Sequence, residues 1–267
     1  MSSLVPRGDL RIYQFESFEA GLTQGLFSRH GGISPEPWAS LNLGSTVGDD
    51  PERVKENRRL AFTAMGRDPL SLYDAWLVHG TDVAIAEAPR AATEKHQQAD
   101  IILTDKPEIT LLMRFADCVP VLLHDPVRKV VGIAHAGWPG TVKGTVRRAV
   151  EVMKAHYGCE AGDIRAGIGP SIGPDHYEIG VDVEARVKES FGGDAGNLLT
   201  WRDGRLYFDL WKANRLLLEN AGVRHIELSG ICTACHNADW YSHRAEKGRT
   251  GRFGAMMALK GSSWTQP

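Results

Sequence analysis

Two apolar, β-branched segments joined by a turn restrict the possible folds of this chain more than any other feature. The first spans Arg114–Asp125, the second spans Val130–Trp138, and the link between them, with Pro-Val-Arg-Lys after Asp125, is typical of a turn. We therefore predict a hairpin. In an antiparallel pair, Cys118 and His135 reach the same edge of the sheet although seventeen positions separate them. A thiol beside an imidazole indicates either a Cys–His nucleophile or two ligands of a metal ion.

A third candidate ligand precedes the hairpin. Tyr73–Gly80 is another strand-like run, and it carries His79 at a glycine turn. If His79 reaches the same edge, the three side chains form a set with one coordination position open, which is the pattern of catalytic rather than structural zinc. From spacing alone, the competing interpretation is that the three residues are unrelated.

The order of elements favours an α+β fold with mixed or antiparallel sheet. Strands outnumber helices, and several strands adjoin through turns instead of crossover helices. No repeat, low-complexity linker or charge block divides the chain, so residues 9–267 are expected to form one domain. Residues 1–8 contain Leu-Val-Pro-Arg-Gly and are interpreted as an expression-tag remnant, outside the fold.

The segment Asp50–Gly66 has the punctuation of a helix. Asp50 is a good N-cap, a proline follows it, and Gly66 suits the position after the last turn. Val54, Arg58 and Ala61 recur at helical spacing on one face. Arg58 therefore lies on an otherwise apolar, inward face, which marks it as a candidate functional residue.

A second helix is predicted from Thr141 to Tyr157, ending at Gly158. Its first turn lies beside His135, and helix N-termini bind anions through free N–H groups. No glycine-rich dinucleotide or Walker-type phosphate motif occurs, so neither class of nucleotide site is indicated.

The composition argues against several other classes. A net charge of −2 gives no electrostatic reason to expect nucleic acid or an anionic membrane as a partner. No apolar run approaches the roughly 20 residues that cross a bilayer, and the first residues lack the apolar core of a signal peptide. Four cysteines do not make a disulfide scaffold in a chain of this size. A cytoplasmic protein is expected.

The motif Cys232-Thr-Ala-Cys-His236 matches the C-x-x-C-H of covalent haem attachment. That chemistry belongs outside the cytoplasm, and a single C-x-x-C cannot complete a four-ligand zinc site unaided. We interpret Cys232 and Cys235 as structural or incidental.

Several short motifs recur together in one known family. They are Ser28-Arg-His-Gly-Gly-Ile-Ser34, Ser40-Leu-Asn-Leu-Gly44, Glu56-Asn-Arg58, Val78-His-Gly80, Ala116-Asp-Cys-Val-Pro-Val121, Ala134-His-Ala-Gly-Trp138, Gly167-Ile-Gly-Pro170, Tyr177-Glu-Ile-Gly180, Cys232-Thr233, Tyr241-Ser-His-Arg244 and Thr250-Gly-Arg252. Through this ordered set the chain resembles the YfiH family, also called laccase-like multicopper polyphenol oxidase, peptidoglycan editing factor and purine nucleoside phosphorylase. The resemblance runs from about Phe27 to the C-terminus.

The resemblance implies a fold and a set of site residues. The fold is a layered α/β/β/α sandwich like that of the cytotoxic necrotizing factor deamidases, in which a Cys–His pair is catalytic. His79, Cys118 and His135 match the family's zinc ligands and are expected to be catalytic together with Arg58. Asn42, Arg58 and Arg244 match positions that line the substrate pocket.

The resemblance also implies the chemistry, which is phosphorolysis of adenosine, inosine or guanosine and deamination of adenosine. The expected partners are therefore a purine nucleoside and phosphate. This chain departs from the family pattern at two positions, since Pro139 replaces a usual arginine and His243 replaces a common tyrosine. The first departure removes a cation beside the expected anion site.

Two other enzyme classes remain open from the sequence. A laccase needs a His₂Cys copper and a histidine-rich trinuclear cluster, whereas the ten histidines here form no H-x-H pair. The set of His79, Cys118 and His135 can nevertheless bind copper, so oxidase activity of copper-loaded protein is an alternative. A metal-free hydrolase or amidase that uses Cys118 and His135 is the third class, and it fits a role in peptidoglycan editing.

Overall fold

The structure, a computed structural model, describes residues 4–18 and 21–260 of the 267-residue chain. The strands, numbered in chain order, are β1 (Val5–Arg7), β2 (Leu10–Tyr13), β3 (Leu22–Phe27), β4 (Leu72–Tyr73), β5 (Val83–Ile85), β6 (Ile101–Thr104), β7 (Thr110–Phe115), β8 (Val119–Asp125), β9 (Val130–Ala136), β10 (Arg165–Ile168), β11 (Glu178–Ile179), β12 (Leu199–Arg202), β13 (Arg205–Phe208), β14 (His225–Leu228) and β15 (Phe253–Leu259). The α-helices are α1 (Pro51–Ala64), α2 (Trp138–Lys143), α3 (Thr145–Tyr157), α4 (Val181–Phe191), α5 (Ala195–Leu198) and α6 (Leu210–Asn220).

The first six-stranded sheet combines strands from both ends of the described chain, in the order β1-β2-β3-β15-β7-β4. Its pairs are antiparallel except β4 with β7. On its outer face, Ala61 and Phe62 of α1 pack against Leu112 and Met256. The edge strand β1 falls within residues 1–8, so part of the segment interpreted as a tag remnant contributes to the sheet.

The second six-stranded sheet has the order β14-β10-β8-β9-β6-β5 and is also mixed, because β14 and β5 pair in parallel with their neighbours. Helices α3, α4 and α6 cover its outer face in one apolar cluster. Its inner face packs on the first sheet, where Leu122 and Ile133 share a core with Leu111 and Met113. The layers follow the predicted α/β/β/α order, which confirms the α+β class. No helix in the described part of the chain is long and apolar enough to cross a membrane.

The hairpin is confirmed, but its first strand is shorter than predicted. β8 and β9 pair antiparallel from Val119 with Ala136 to Asp125 with Val130. The predicted strand from Arg114 to Asp125 is wrong at its start, because Arg114 and Phe115 are the last two residues of β7 in the other sheet. The chain changes sheets through Ala116, Asp117 and Cys118, and Asp117 takes a left-handed φ of 82° that breaks the strand.

The first predicted helix is confirmed in its punctuation. The Asp50 carboxylate accepts a hydrogen bond from the Glu52 N–H at 2.8 Å, and Gly66 follows the helix with a φ of 65°. Val54 and Ala61 are buried, and the side chain of Arg58 lies between them on the inward face.

The second predicted helix is two helices. Gly144, with a φ of 83°, ends α2 and begins α3, because a glycine tolerates the left-handed conformation that interrupts a helix. The predicted start at Thr141 is wrong by one turn, since the Thr141 N–H already donates to the Gly137 carbonyl inside α2. The predicted end at Gly158 is confirmed.

The predicted strand at Tyr73–Gly80 is mostly irregular backbone. Only Leu72–Tyr73 pairs in the first sheet, and Trp76 forms an isolated bridge with Gln98 of the loop before β6. His79 then takes a φ of 57°, which no regular strand contains.

A small third sheet, β11-β13-β12, was not predicted. It is antiparallel, and it follows the loop after β10. The loop and this sheet carry Tyr177 and Glu178, which lie beside the cavity described below.

Candidate active site

The structure brings together the three candidate metal ligands. The ligand atoms of His79, Cys118 and His135 lie within 4.8 Å of one another, and the two imidazole centroids are 4.9 Å apart. His135 is buried in β9, Cys118 is half-buried at the crossing between the sheets, and His79 is exposed. The set therefore has one buried side and one side open to solvent.

Gly137 allows the three side chains to approach one another. A Cβ added at this position would lie 2.9 Å from Cys118 Sγ and 2.9 Å from His79 Nδ1, closer than ordinary packing tolerates. The left-handed backbone of His79 and of Asp117 adds local strain on two sides of the set. The motifs around His79, Cys118 and His135 thus combine a ligand with the backbone geometry that positions it.

Asp100, which the sequence analysis missed, orients two of the three ligands. Its Oδ1 lies 2.8 Å from Nδ1 of His135, and its Oδ2 accepts hydrogen bonds from the backbone N–H groups of Val78 at 3.1 Å and Gly80 at 2.7 Å. A carboxylate on one imidazole nitrogen leaves the other nitrogen for a metal ion. The available signal was an acidic residue directly before the apolar strand β6, since charged residues are rarely buried without a partner.

The Cys118–His135 pair favours a thiolate on Cys118 and a protonated imidazole on His135. Burial opposes ionisation of the Cys118 thiol, but His135 and His79 outweigh it and lower the pKa of the thiol to about 6. Burial likewise opposes a charged His135, yet Cys118 and Asp100 raise the pKa of the imidazole to about 9. Burial also disfavours the Asp100 carboxylate, and the hydrogen bonds from His135 and Gly80 nevertheless keep its pKa below the usual value.

The ligand set opens onto a cavity of about 460 Å³, within the range of small-molecule sites. Besides the three ligands, its lining includes Trp76, His96, Arg114, Tyr177, His243 and Arg244. Cationic and aromatic side chains thus share the cavity with a thiol and two imidazoles.

A cationic cluster around Asp74 forms part of the cavity wall. The fully buried Asp74 carboxylate lies 2.8 Å from Arg90 Nε, 2.5 Å from Arg114 Nη1, 3.2 Å from His96 Nε2 and 3.9 Å from Arg58 Nη1. Three guanidinium groups face one carboxylate, so two positive charges remain uncompensated within the cluster. Arg114 and His96 line the cavity.

The Asp74 carboxylate and the Arg58 guanidinium of this cluster are both charged at neutral pH. Burial raises the pKa of Asp74, but Arg114, Arg58, His96 and Arg90 outweigh it and bring it down to about 2. Burial lowers the pKa of Arg58 to about 10, with a further contribution from Arg114, and Arg58 stays protonated. Sequence reasoning marked Arg58 and missed the rest, although Asp74 in an apolar run was a usable signal.

The other two candidate substrate residues have different placements. Arg244 lines the cavity, where its guanidinium donates to the Glu178 carbonyl at 3.1 Å and lies 5.3 Å from the centre of the Tyr177 ring. Asn42 is fully buried and is not among the cavity-lining residues of the described chain. Its side chain instead accepts hydrogen bonds from the N–H groups of Gly44 and Arg252, two residues that do line the cavity.

The two departures from the family pattern lie on different sides of the ligands. His243 lines the cavity of about 460 Å³. Pro139, the second residue of α2, lines an adjoining cavity of about 270 Å³ that shares His79, Cys118 and Tyr177 with the first. The expected anion site at Thr141 is not formed as predicted, because the Thr141 N–H is occupied within α2.

Comparison with known proteins agrees with this combination of fold and site. Residues 23–260 match the family described as multi-copper polyphenol oxidoreductase laccase. The chain belongs to this family, which confirms the resemblance to the YfiH family.

Bacterial relatives match most of the chain. A purine nucleoside phosphorylase of Deinococcus radiodurans is 40% identical over 232 residues, which is 87% of each chain. The purine nucleoside phosphorylase YlmD of Geobacillus stearothermophilus is 36% identical over 92% of this chain and 93% of that protein. The crystal structure of YlmD from Geobacillus stearothermophilus superposes with a TM-score of 0.90 at 32% identity, covering 97% of this chain and 99% of that one. The family and these relatives therefore indicate an enzyme.

Proposed function

We propose that this chain is a zinc-dependent purine nucleoside phosphorylase acting on adenosine, inosine and guanosine, with adenosine deaminase activity at the same site. One observation carries the proposal: a three-ligand metal set and a cationic cluster with two excess charges line the same cavity. The names of the relatives, purine nucleoside phosphorylases, support it. No feature of the composition calls for nucleic acid or a membrane as a partner, and we propose a cytoplasmic location.

His79, Cys118 and His135 would hold the metal ion. Two imidazoles and one thiolate suit zinc, and three protein ligands leave a position for water or substrate. The same donors accept Cu²⁺. A bound zinc ion supplies a Lewis acid and lowers the pKa of a bound water from about 15.7 toward 7. Asp100 contributes by holding Nδ1 of His135, which presents Nε2 to the site.

Phosphate is assigned to the face of the Asp74 cluster that meets the cavity. Phosphorolysis requires an anion held near the anomeric carbon as positive charge develops on the ribose. Arg114 and His96 reach the cavity, and guanidinium groups bind phosphate oxygens in pairs. Arg58 and Arg90 stand behind them and raise the local positive potential.

The purine base is assigned to the aromatic part of the cavity, formed by Tyr177 with Arg244 beside it and Trp76 in the same lining. Bases stack on aromatic rings whatever their hydrogen-bonding pattern, which suits an enzyme that accepts several purines. Asn42 is assigned an indirect role, since it fixes Gly44 and Arg252 of the cavity wall.

Removal of Arg114 is expected to weaken phosphate use more than removal of Arg58, because Arg114 reaches the cavity. Loss of one hydrogen bond to a charged group is worth about 1.5–3 kcal/mol, so Arg114→Ala is expected to raise the KM for phosphate about 10- to 100-fold. Arg58→Ala is expected to raise it by a smaller factor. Initial rates at varied phosphate measure both effects.

Arg59→Ala is the matched control, because it removes an exposed arginine one position away on α1. It is expected to leave the KM for phosphate unchanged. Metal content is expected to stay constant in all three variants. A loss of zinc or of folded structure in Arg58→Ala or Arg114→Ala would show a structural role and contradict the assignment of phosphate to this cluster.

Arg244→Ala is expected to raise the KM for the nucleoside about tenfold while leaving the KM for phosphate unchanged, because Arg244 lies at the aromatic part of the cavity. Varying each substrate at a saturating level of the other separates the two constants. The opposite split, a higher KM for phosphate alone, would move Arg244 to the anion site.

The second candidate function is a metal-free Cys–His hydrolase. One observation favours it, namely the chain of contacts from Asp100 to His135 to Cys118, which is the arrangement of a base, its orienting carboxylate and a nucleophile. Copper-dependent polyphenol oxidation remains tied to the family description. In the described residues, the two groups of three or more metal-ligating side chains contain only three histidines, which is a poor basis for a trinuclear copper cluster.

A further inference from the structure

A second cluster of metal-ligating side chains lies outside the candidate active site. Asp175, His176, Cys232 and Cys235 each offer one ligand atom, and these atoms lie within 4.8 Å of one another. The two cysteines belong to the C-x-x-C-H motif, to which the proposed reaction gives no role. The motif alone lacks four ligands, and the loop after β10 supplies the missing two from 56 positions away.

The distances within the cluster are those of side chains that face one point. His176 Nδ1 lies 3.8 Å from Cys232 Sγ, 3.4 Å from Cys235 Sγ and 3.0 Å from Asp175 Oδ2, and Cys235 Sγ lies 3.0 Å from the same carboxylate oxygen. Bonds of about 2.0–2.3 Å at tetrahedral angles separate neighbouring ligand atoms by about 3.3–3.8 Å. Shifts of a few tenths of an ångström would therefore accommodate an ion.

The backbone around Cys232 is fixed before any ion binds. Ser171 and Cys232 form a bridge between the two segments, and the Thr233 N–H donates to the Ser171 carbonyl at 3.0 Å. The Gly173 N–H donates to Cys232 Sγ at 3.2 Å, a contact that holds the sulfur against the loop after β10. Cys232 is buried and Cys235 is exposed, so the cluster has one anchored sulfur and one accessible side.

We propose that Asp175, His176, Cys232 and Cys235 form a second, structural Zn²⁺ site. Two thiolates, an imidazole and a carboxylate are all zinc ligands, and four protein ligands close the coordination sphere, which is the mark of a structural site. His236 lies outside the set, because its Nδ1 contacts the Cys232 carbonyl at 3.0 Å.

The site has a consequence for the neighbouring cavity. Arg244 donates to the carbonyls of His176 and Glu178, at 3.4 and 3.1 Å. A zinc ion on His176 fixes the backbone that positions the Arg244 guanidinium. The second ion therefore shapes the cavity wall without contacting substrate.

Zinc counting in single variants tests the proposal. Wild-type protein, purified under reducing conditions with zinc supplied and then desalted, is expected to contain about two zinc ions per chain by elemental analysis. Cys235→Ser and His176→Ala are each expected to remove about one. Cys118→Ser reports the other site, so the two sites are counted separately. Cys159→Ala, which removes a buried thiol outside both clusters, is the matched control and is expected to keep the wild-type count.

Cobalt substitution provides a readout that does not depend on counting. Co²⁺ in a two-thiolate tetrahedral site gives thiolate charge-transfer and d–d absorption, which is expected to persist in Cys118→Ser and to fall by more than half in Cys235→Ser. An unchanged zinc count and cobalt spectrum in Cys235→Ser, whose exposed position is compatible with a folded variant, would overturn the proposal. A second outcome would also overturn it: Cys232 and Cys235 form a disulfide, and the reduced dithiol does not bind added zinc.

Discussion

Removal of zinc with a chelator is expected to lower phosphorolysis by this protein at least about 100-fold, and added zinc is expected to restore it. A Lewis acid at the reacting group is worth several kcal/mol, and each 1.36 kcal/mol is a factor of ten in rate. His79→Ala, Cys118→Ala and His135→Ala are expected to lose zinc from the site and activity together. Parallel measurement of metal content and rate checks this result.

Alkylation of Cys118 distinguishes a ligand from a nucleophile. The pKa of about 6 makes the metal-free thiol largely a thiolate at neutral pH, so iodoacetamide is expected to modify it quickly after chelation. A bound zinc ion shares the thiolate charge and is expected to slow this reaction. Peptide mass spectrometry separates Cys118 from the buried Cys159, which lies outside both clusters, is expected to stay unmodified with and without chelator, and serves as the internal comparison.

The hydrolase alternative predicts the reverse pattern. Chelation would leave activity intact, alkylation of the fully active protein would be fast, and His79→Ala would matter much less than His135→Ala. Rapid alkylation of metal-free protein that retains full activity would rule out the zinc mechanism.

Asp100→Asn is expected to have the second-largest effect, a loss of zinc affinity of about 10- to 100-fold at the site of His79, Cys118 and His135. The carboxylate accepts on both oxygens, from His135 on one side and from the Val78 and Gly80 N–H groups on the other. An asparagine offers one acceptor and one donor. In one orientation of the asparagine amide, its NH₂ group faces the Val78 and Gly80 N–H groups, which are also donors. In the other orientation, the NH₂ group faces His135, which must then accept at Nδ1 and carry its proton on Nε2, where a metal ion would bind.

Competition with a zinc-binding dye measures this affinity. Asp105→Asn is the matched control, because Asp105 follows the same strand β6 at its other end, is half-buried and pairs with Lys106 instead of a candidate metal ligand. It is expected to bind zinc as the wild type does. An Asp100→Asn protein with unchanged zinc affinity and reduced activity would instead favour the carboxylate as part of a Cys–His–Asp triad.

Local rules were sufficient where neighbouring residues determine the backbone. The helix at Asp50 and Pro51 and the hairpin at Val119–Ala136 depend on capping, turn and strand preferences that act over a few positions. The break at Gly144 was missed because a single glycine inside an amphipathic pattern is also compatible with a continuous helix. The strand break at Asp117 was missed because a left-handed non-glycine residue is rarely expected within an apolar run.

The candidate site was predictable in its ligands and much less so in its supporting residues. The spacing of His79, Cys118 and His135 left open whether they meet, and only the resemblance to a known family implied that they form one set. Asp74 and Asp100 have no motif of their own, and their partners come from separate strands and loops. Asp175 and His176 likewise have no motif of their own. They lie close to Cys232 and Cys235 only because the loop after β10 packs against a turn that is distant in sequence.

The candidate ligand Cys118 lies in the short segment, Ala116–Cys118, that connects the two sheets. β7 ends in the first sheet just before it and β8 begins in the second just after it, while His135 belongs to β9 of the second. An ion bound there requires both sheets to be folded and packed together. It therefore binds the native state and not a form in which either sheet is unfolded. Ligands selective for the native state raise the melting temperature as their free concentration rises. The thermal resistance of this protein is thus expected to vary with the zinc concentration of its surroundings.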